Sequence, residues 1–210
     1  MPAEIVSIHP ANPEPRKIAK VVQAIKDGAV IIYPTDTVYG LGCQIGNGAA
    51  IEKIAAIRGL KVEKAQFSIM CADLSHLAEF TKPIDQPTYK LLKRTLPGPF
   101  TFILPASNQV PKILAQNRKT VGFRISAHPI CIQLLKELDA PILTASLKNE
   151  ADDFVYPNDI DDISALFSKR VDVIIDAGPA SMEPSTIVDV TKPGDWQIVR
   201  EGAGDLALVY

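Results

Sequence analysis

Cysteine is scarce in this 210-residue chain, and the three that occur stand far apart among apolar neighbours. Cys43, Cys71 and Cys131 do not have the spacing of a disulfide framework or a zinc site, so we expect buried thiols in a reducing compartment. No segment approaches the ~18 consecutive apolar residues of a membrane helix. The N-terminus also lacks the basic and apolar segments of a secretory signal. These absences predict a cytoplasmic protein with no membrane partner.

Several catalytic motifs are also missing. The sequence contains no G-x-x-x-x-G-K-[ST] phosphate loop, no H-E-x-x-H zinc motif and no G-x-S-x-G nucleophile elbow. Gly40, Gly42 and Gly46 are only weakly similar to a dinucleotide fingerprint, because they begin seven residues after the preceding strand instead of at its end. The chain has three histidines, His9, His76 and His128. Their spacing is not that of metal ligands, and we expect them at the surface or at helix caps. We therefore expect neither a side-chain nucleophile nor a metal site.

Charge is distributed unevenly along the chain, although the net charge is only -2. Residues 1–130 hold 16 Lys and Arg against 9 Asp and Glu, whereas residues 131–210 hold 6 against 15. One interpretation is that a basic face meets an anionic partner. The alternative is that the fold interleaves the two halves and the charges only solvate the surface.

The hydrophobic pattern alternates between strands and helices. Ile18, Val21, Val22 and Ile25 repeat at helical spacing within 14–27, and the apolar run 29–33 is typical of a strand covered on both faces. The remaining strands are predicted at 4–8, 67–71, 100–104, 120–125, 142–146, 171–176, 187–190 and 196–200, and the remaining helices at 47–59, 73–80, 85–96, near 111, around 131–138 and at 159–169. This order predicts one α/β domain over residues 1–210 with a central mixed sheet.

Three polar segments lie next to apolar strands, where α/β sheets bind ligands. The first is 34–42, with small hydroxyls, a tyrosine and glycines. The second places Thr120 and Arg124 on the same face of a strand, a guanidinium arrangement that suits a carboxylate or phosphate. The third is 144–148, again polar on one face. The alternative for 34–42 is a tight turn whose hydrogen-bonding groups are satisfied within the turn. The alternative for the strand hydroxyls is that they form hydrogen bonds only with neighbouring residues.

Seven segments together resemble the YrdC/YciO family, and they are most similar to its YciO branch. They are YPTDTVYGLGC, IRG, PGPFTFIL, VGFRISAHP, PILTAS, PSTIVDV and IVREG, in the order of the family and over nearly the whole chain. The resemblance implies a YrdC-like, or DHBP synthase-like, domain with its core at about residues 14–203. It also implies an open twisted mixed sheet with flanking helices and a concave, positively charged surface.

The resemblance further implies a nucleotidyltransferase that makes L-threonylcarbamoyladenylate from L-threonine, bicarbonate and ATP, with release of diphosphate. That adenylate is the donor for threonylcarbamoyl-adenosine in tRNA. Such a reaction proceeds between the substrates, so a protein without a nucleophile can catalyse it by positioning and electrostatics. Mg²⁺ is expected to accompany ATP, and no tightly bound cofactor is expected.

Site residues follow from the resemblance position by position. Thr35, Arg124 and the backbone at Thr144 would contact L-threonine. The residues that would face the nucleotide are Arg58, Thr120, Ser146, Lys148 and Arg200.

Two motifs depart from the family pattern. The typical synthase has K-x-R where this chain has Arg58-Gly59-Leu60, and S-x-N where it has Ser146-Leu147-Lys148. The two motifs together hold the same number of cations here as in the typical synthase, but at different positions. This difference predicts a slow synthase. The alternative is a non-catalytic paralogue that binds nucleotide or double-stranded RNA. Candidate contacts to tRNA or double-stranded RNA are Lys61, Lys64, Lys90, Lys93, Arg94, Arg118 and Lys119.

Overall fold

A computed structural model of the chain describes residues 2–115, 119–148 and 156–210. Its strands are β1 (Glu4–Ser7), β2 (Ile31–Tyr33), β3 (Gly40–Gln44), β4 (Ser68–Met70), β5 (Phe100–Pro105), β6 (Thr120–Arg124), β7 (Ile142–Ser146), β8 (Val173–Asp176), β9 (Thr186–Asp189) and β10 (Gln197–Arg200). Its helices are α1 (Pro15–Lys26), α2 (Gly48–Ile57), α3 (Leu74–Phe80), α4 (Gln86–Thr95), α5 (Lys112–Ala115), α6 (Pro129–Leu138) and α7 (Ile160–Phe167), followed by a 3₁₀ turn (Leu206–Leu208).

The strands form one open mixed sheet in the order β1-β8-β2-β3-β7-β4-β6-β5-β9-β10. Strand β8 pairs in parallel with both β1 and β2, whereas β7 lies antiparallel between β3 and β4. Strands from both halves of the chain therefore alternate across the sheet. This topology favours the interpretation that the charge asymmetry is spread by interleaving, and it confirms the single α/β domain with an open mixed sheet.

Both faces of the first half of the sheet are covered by helices. Helices α1 and α6 pack on one face against β1, β2 and β8, and α1 buries the predicted stripe of Ile18, Val21, Val22 and Ile25. Helices α2 and α7 cover the other face. Because β2 meets apolar side chains on both faces, it is buried at every position, as its continuous apolar sequence predicts.

The second half of the sheet is covered on one face only. Alternate residues of β4, β5, β6 and β9 pack with α3 and α4, among them Ile69, Phe102, Phe123 and Val188. The intervening residues of the same strands point to the opposite face, and several of them are small, such as Ser68, Thr101 and Gly122. That face continues the surface on which α1 and α6 lie, but these helices end before reaching it. A hollow over β7-β4-β6-β5-β9 results.

The three cysteines are free and buried, as the sequence predicts. Burial raises the pKa of each thiol to about 12, so the sulfur atoms are protonated and unreactive at neutral pH. Within the described residues, no helix is long and apolar enough to cross a membrane.

Candidate functional site

A cavity of about 480 Å³ occupies the uncovered face of the sheet. Residues of seven strands line it, and the loop after α2 and helix α5 form part of its wall. All eight site residues predicted from the sequence line this one cavity: Thr35, Arg58, Thr120, Arg124, Thr144, Ser146, Lys148 and Arg200. The structure thus brings together residues that span 165 positions of the sequence, from Thr35 to Arg200. Their individual roles stay predictions.

The close approach of three strands explains a glycine at the centre of the floor. A Cβ atom at Gly122 would lie 2.5 Å from Ser68 Oγ and 3.3 Å from Thr101 Cγ2. Ser68 and Gly122 are paired across β4 and β6, so a side chain at position 122 would displace Ser68 and take up space in the floor.

Arg124 is the most buried cation of the cavity, with 6% of its surface exposed. Its Nη2 donates to Asp36 Oδ1 at 2.5 Å, to Thr37 Oγ1 at 2.7 Å and to Thr35 Oγ1 at 3.2 Å. Its Nε has no hydrogen-bond partner within the described part of the chain. A buried guanidinium N–H without an acceptor is costly, so the contacts within the described residues leave the Arg124 guanidinium only partly satisfied.

Asp36 fixes Arg124 and is itself fixed by the turn after β6. Its carboxylate accepts from Ser126 Oγ at 2.7 Å and from the Ala127 N–H at 3.1 Å. Burial alone would raise the Asp36 pKa, but the charge of Arg124 and these hydrogen bonds outweigh burial and lower it. Asp36 therefore remains ionised at neutral pH. Sequence reasoning missed it, because its partner lies 88 residues away.

The Thr35 hydroxyl is fully engaged inside its own loop. It donates to the Val38 carbonyl at 2.7 Å and accepts from the Thr37 N–H at 3.1 Å and from Arg124. One proton and two lone pairs are thereby used. Thr35 therefore shapes the Arg124 end of the cavity, and only its methyl and backbone groups are left for a ligand.

Arg200 lines the cavity from the end of β10. Its Nε and Nη2 both donate to the Ser185 carbonyl, at 3.1 and 2.7 Å, and Ser185 Oγ lies 2.9 Å from Thr101 Oγ1. These contacts leave Nη1 as the guanidinium nitrogen not engaged with Ser185. Thr101 and Ser185 also line the cavity, although the sequence analysis did not single them out. Their inward direction follows only once the β5–β9 pairing is known.

Arg58 and Lys148 complete the basic lining, from the end of α2 and from the segment after β7. Leu60, which replaces a cation of the typical synthase, is absent from the lining and is 38% exposed. Its N–H instead donates to the Ala55 carbonyl and closes the end of α2. Four basic side chains and no Asp or Glu line the described part of the cavity.

The cavity does not have the composition of a magnesium site. Mg²⁺ prefers carboxylate oxygens, and none lines the described part of the cavity. No group of three His, Cys, Asp or Glu side chains that could hold a metal ion occurs in the described ranges either. The expectation that Mg²⁺ accompanies ATP stays a prediction.

The basic residues predicted to contact RNA lie outside the cavity. Six of them are exposed, namely Lys61, Lys64, Lys90, Lys93, Arg94 and Lys119, and Arg118 falls outside the described residues. Arg94 donates to the Val209 carbonyl at 2.9 Å, so part of its hydrogen-bonding capacity serves the fold. RNA binding stays a prediction.

Comparison with known proteins gives three informative relatives. The uncharacterized protein YciO of Escherichia coli K12 is 39% identical over 200 residues, which is 95% of both chains, and its crystal structure superposes with a TM-score of 0.92 over 98% of both chains. A threonylcarbamoyl-AMP synthase of Coxiella burnetii is 29% identical over 78% of this chain and 86% of its own. Sua5 of P. abyssi, solved in complex with L-threonine, is 28% identical with a TM-score of 0.88, over 98% of this chain and 59% of that one.

A family model agrees with these relatives. The model Sua5_yciO_yrdC, described as telomere recombination, matches residues 23–202. That range contains the whole cavity lining, from Thr35 to Arg200. The chain belongs to the Sua5/YciO/YrdC family.

Proposed function

We propose that this protein is a threonylcarbamoyl-AMP synthase that uses L-threonine, bicarbonate and ATP. The observation that carries the proposal is a cavity lined by four basic side chains, one of which is the buried guanidinium of Arg124. A buried guanidinium suits a carboxylate, and the other three cations suit phosphates. The synthase of Coxiella burnetii and the threonine complex of P. abyssi Sua5 support the same assignment.

Different residues of the lining would take the two substrates. Arg124, with Thr35 and Thr144, would take the threonine carboxylate. Arg200, Thr120 and Ser146 also line the cavity and would take the nucleotide. Arg58 and Lys148 would neutralise the phosphates.

The chemistry requires no protein nucleophile. The threonine amine attacks the carbon of bicarbonate to form a carbamate, and water leaves. A carbamate oxygen then attacks the α-phosphorus of ATP, the bond to the bridging oxygen breaks, and diphosphate departs. The protein holds the reactants in line, while its cations stabilise the charge that develops on the phosphoryl oxygens and on the leaving group.

The rate should be lower than that of a typical synthase. Leu60 places no guanidinium in the cavity, and Lys148 provides a mobile point charge instead of a planar fork. Loss of one oriented donor at such a site costs on the order of 10²–10³ in rate. Binding of ATP can survive this loss because the number of cations is maintained.

The direct test is product formation by the purified protein. Radiolabelled bicarbonate, L-threonine and MgATP are incubated with it, and labelled threonylcarbamoyl-AMP and diphosphate are quantified. Both products in equal amounts support the proposal. ATP binding without product would instead favour the non-catalytic nucleotide-binding alternative, and retention of double-stranded RNA alone would favour the RNA-binding one.

Arg124→Lys tests the carboxylate assignment. The variant keeps the charge but loses the fork, so affinity for L-threonine should fall at least tenfold more than affinity for ATP. Arg16→Lys, on the exposed side of α1, is the matched control and should change neither. Equal losses for both ligands in calorimetry would contradict the assignment.

A further inference from the structure

The side chain of Tyr33 extends along one face of the sheet, beneath the part of the cavity where we propose that L-threonine binds. Tyr33 is fully buried on β2, yet its hydroxyl reaches Thr144 on β7, with β3 between them. The ring lies against Gly40 and Gly42, where Cβ atoms would approach Tyr33 Cζ to 3.2 Å and Cε1 to 2.7 Å respectively. The two glycines therefore leave the space that the ring occupies.

Two arrangements of protons fit the contacts of the Tyr33 hydroxyl: it donates either to Thr144 Oγ1 at 2.6 Å or, while accepting from Thr144, to Met70 Sδ at 3.8 Å. A thioether is a weak acceptor, and a buried phenol is better satisfied by a hydroxyl oxygen. The acceptor strengths therefore favour donation from Tyr33 to Thr144. Burial also raises the pKa of Tyr33 well above its usual range, which keeps this donor protonated at neutral pH.

The Thr144 hydroxyl must then direct its own proton elsewhere. Among residues 2–115, 119–148 and 156–210, Thr144 Oγ1 has no hydrogen-bond partner other than Tyr33. Thr144 lines the cavity together with Arg124, whose Nε is also unpartnered. In this arrangement the Thr144 hydroxyl hydrogen is a donor without an acceptor at the lining of the hollow.

We propose that Tyr33 is a positioning residue: by donating to Thr144, it aims the Thr144 hydroxyl hydrogen into the cavity, where that hydrogen bonds an oxygen of the bound amino acid. The identity of the ligand rests on the proposed function. The role extends the expectation for Thr144, which the sequence assigned only through its backbone.

A double-mutant cycle tests whether Tyr33 acts through Thr144. Tyr33→Phe should weaken L-threonine binding about fivefold, the value of one net hydrogen bond, and Thr144→Val should weaken it at least as much. The double variant should match Thr144→Val within twofold, and ATP affinity should stay within twofold throughout. Tyr89→Phe, at an exposed position on α4, is the matched control. Additive losses would overturn the proposal.

A second measurement does not depend on the ligand. Three-bond couplings to the Thr144 methyl carbon report its χ1 rotamer by NMR. We expect one rotamer in the unmodified protein and averaging in Tyr33→Phe. An unchanged rotamer in the variant, or averaging in the unmodified protein, refutes the positioning role even if L-threonine does not bind. Absence of threonine binding with the expected rotamer change would instead refute the proposed function alone.

Gly42→Ala provides an alternative test of the proposal if the Tyr33→Phe variant fails to fold. The added Cβ would lie 2.7 Å from Tyr33 Cε1 and must displace the ring, while the phenol itself is retained. The proposal predicts the same selective loss of L-threonine affinity and the same averaging at Thr144. A Gly42→Ala protein with unchanged rotamer and affinity counts against it.

Discussion

Replacing Asp36 by asparagine removes the negative charge that faces the buried Arg124 guanidinium but keeps an oxygen that can accept its hydrogen bond. The side chains of Arg124 and Asp36 are only 7% and 13% exposed. Breaking a buried ion pair by removing one partner costs about 3–5 kcal/mol, because the remaining charge is left without compensation. Since the hydroxyls of Thr35 and Thr37 still accept from Arg124, we expect a loss of about 3 kcal/mol in the free energy of unfolding.

The pH dependence gives the prediction a second, signed component. The folded-state pKa of Asp36 is lowered, so its contribution to stability is present above the ordinary aspartate pKa and is lost as the pH falls through the lowered value. The difference between the unmodified protein and Asp36→Asn should therefore be largest near neutral pH and should shrink in acid, below about pH 4.

Urea unfolding at a series of pH values measures both components. Glu4→Gln is the control, because it breaks the exposed pair of Glu4 and Lys20, whose side chains are 50% and 57% exposed. Exposed pairs contribute about 0–1 kcal/mol. If Asp36→Asn costs no more than the control, or if its effect grows as the pH falls, the reasoning about the buried pair is wrong.

Three further predictions concern the cavity and the thiols. Gly122→Ala should lower ATP affinity at least threefold in calorimetry, because the new Cβ meets Ser68 in the cavity floor. Gly48→Ala is the control and should leave ATP affinity unchanged, because its new Cβ would have only Ile113 Cδ1 nearby, at 3.7 Å. Lys148→Asn should weaken ATP binding at least tenfold, and a change within twofold, roughly 0.4 kcal/mol, would show that Lys148 does not contact the phosphates. The thiols of Cys43, Cys71 and Cys131 should be unreactive toward a disulfide reagent at pH 8, because burial raises their pKa to about 12. All three should react after unfolding, and reaction of the native protein would contradict their burial.

Local patterns in the sequence predicted most of the elements of the fold. The stripe on α1 and the alternation of Thr120 and Arg124 on β6 depend only on helix and strand periods, and both are found in the structure. Strand β3 was not predicted, because glycine is depleted in strands and two occur at its start. Those glycines are explained by the Tyr33 ring that lies against them, a tertiary contact that no local pattern contains.

The candidate site was predicted as a set of residues but not as a network of contacts. A family motif indicates which side chains face a ligand, and all eight line the cavity. It does not show that Asp36 holds Arg124, or that Ser185 holds Arg200, because these pairs join segments 88 and 15 residues apart through the sheet. The same contacts leave Thr35 without a free hydroxyl, which no motif could indicate.

The position of β8 between β1 and β2 has a consequence for how the chain acquires its structure. Strand β1 has no native neighbour until residues 173–176 are available, and before then β2 can pair only with β3. Strand β5 likewise pairs with β9 only when residues 186–189 are available. Pairing across such long sequence separations is slow, because loop-closure entropy is lost before contacts compensate for it. The cavity draws its walls from Thr35 through Arg200, so it exists only when both halves of the chain are in place. A ligand bound there stabilises the complete molecule and no partly folded form.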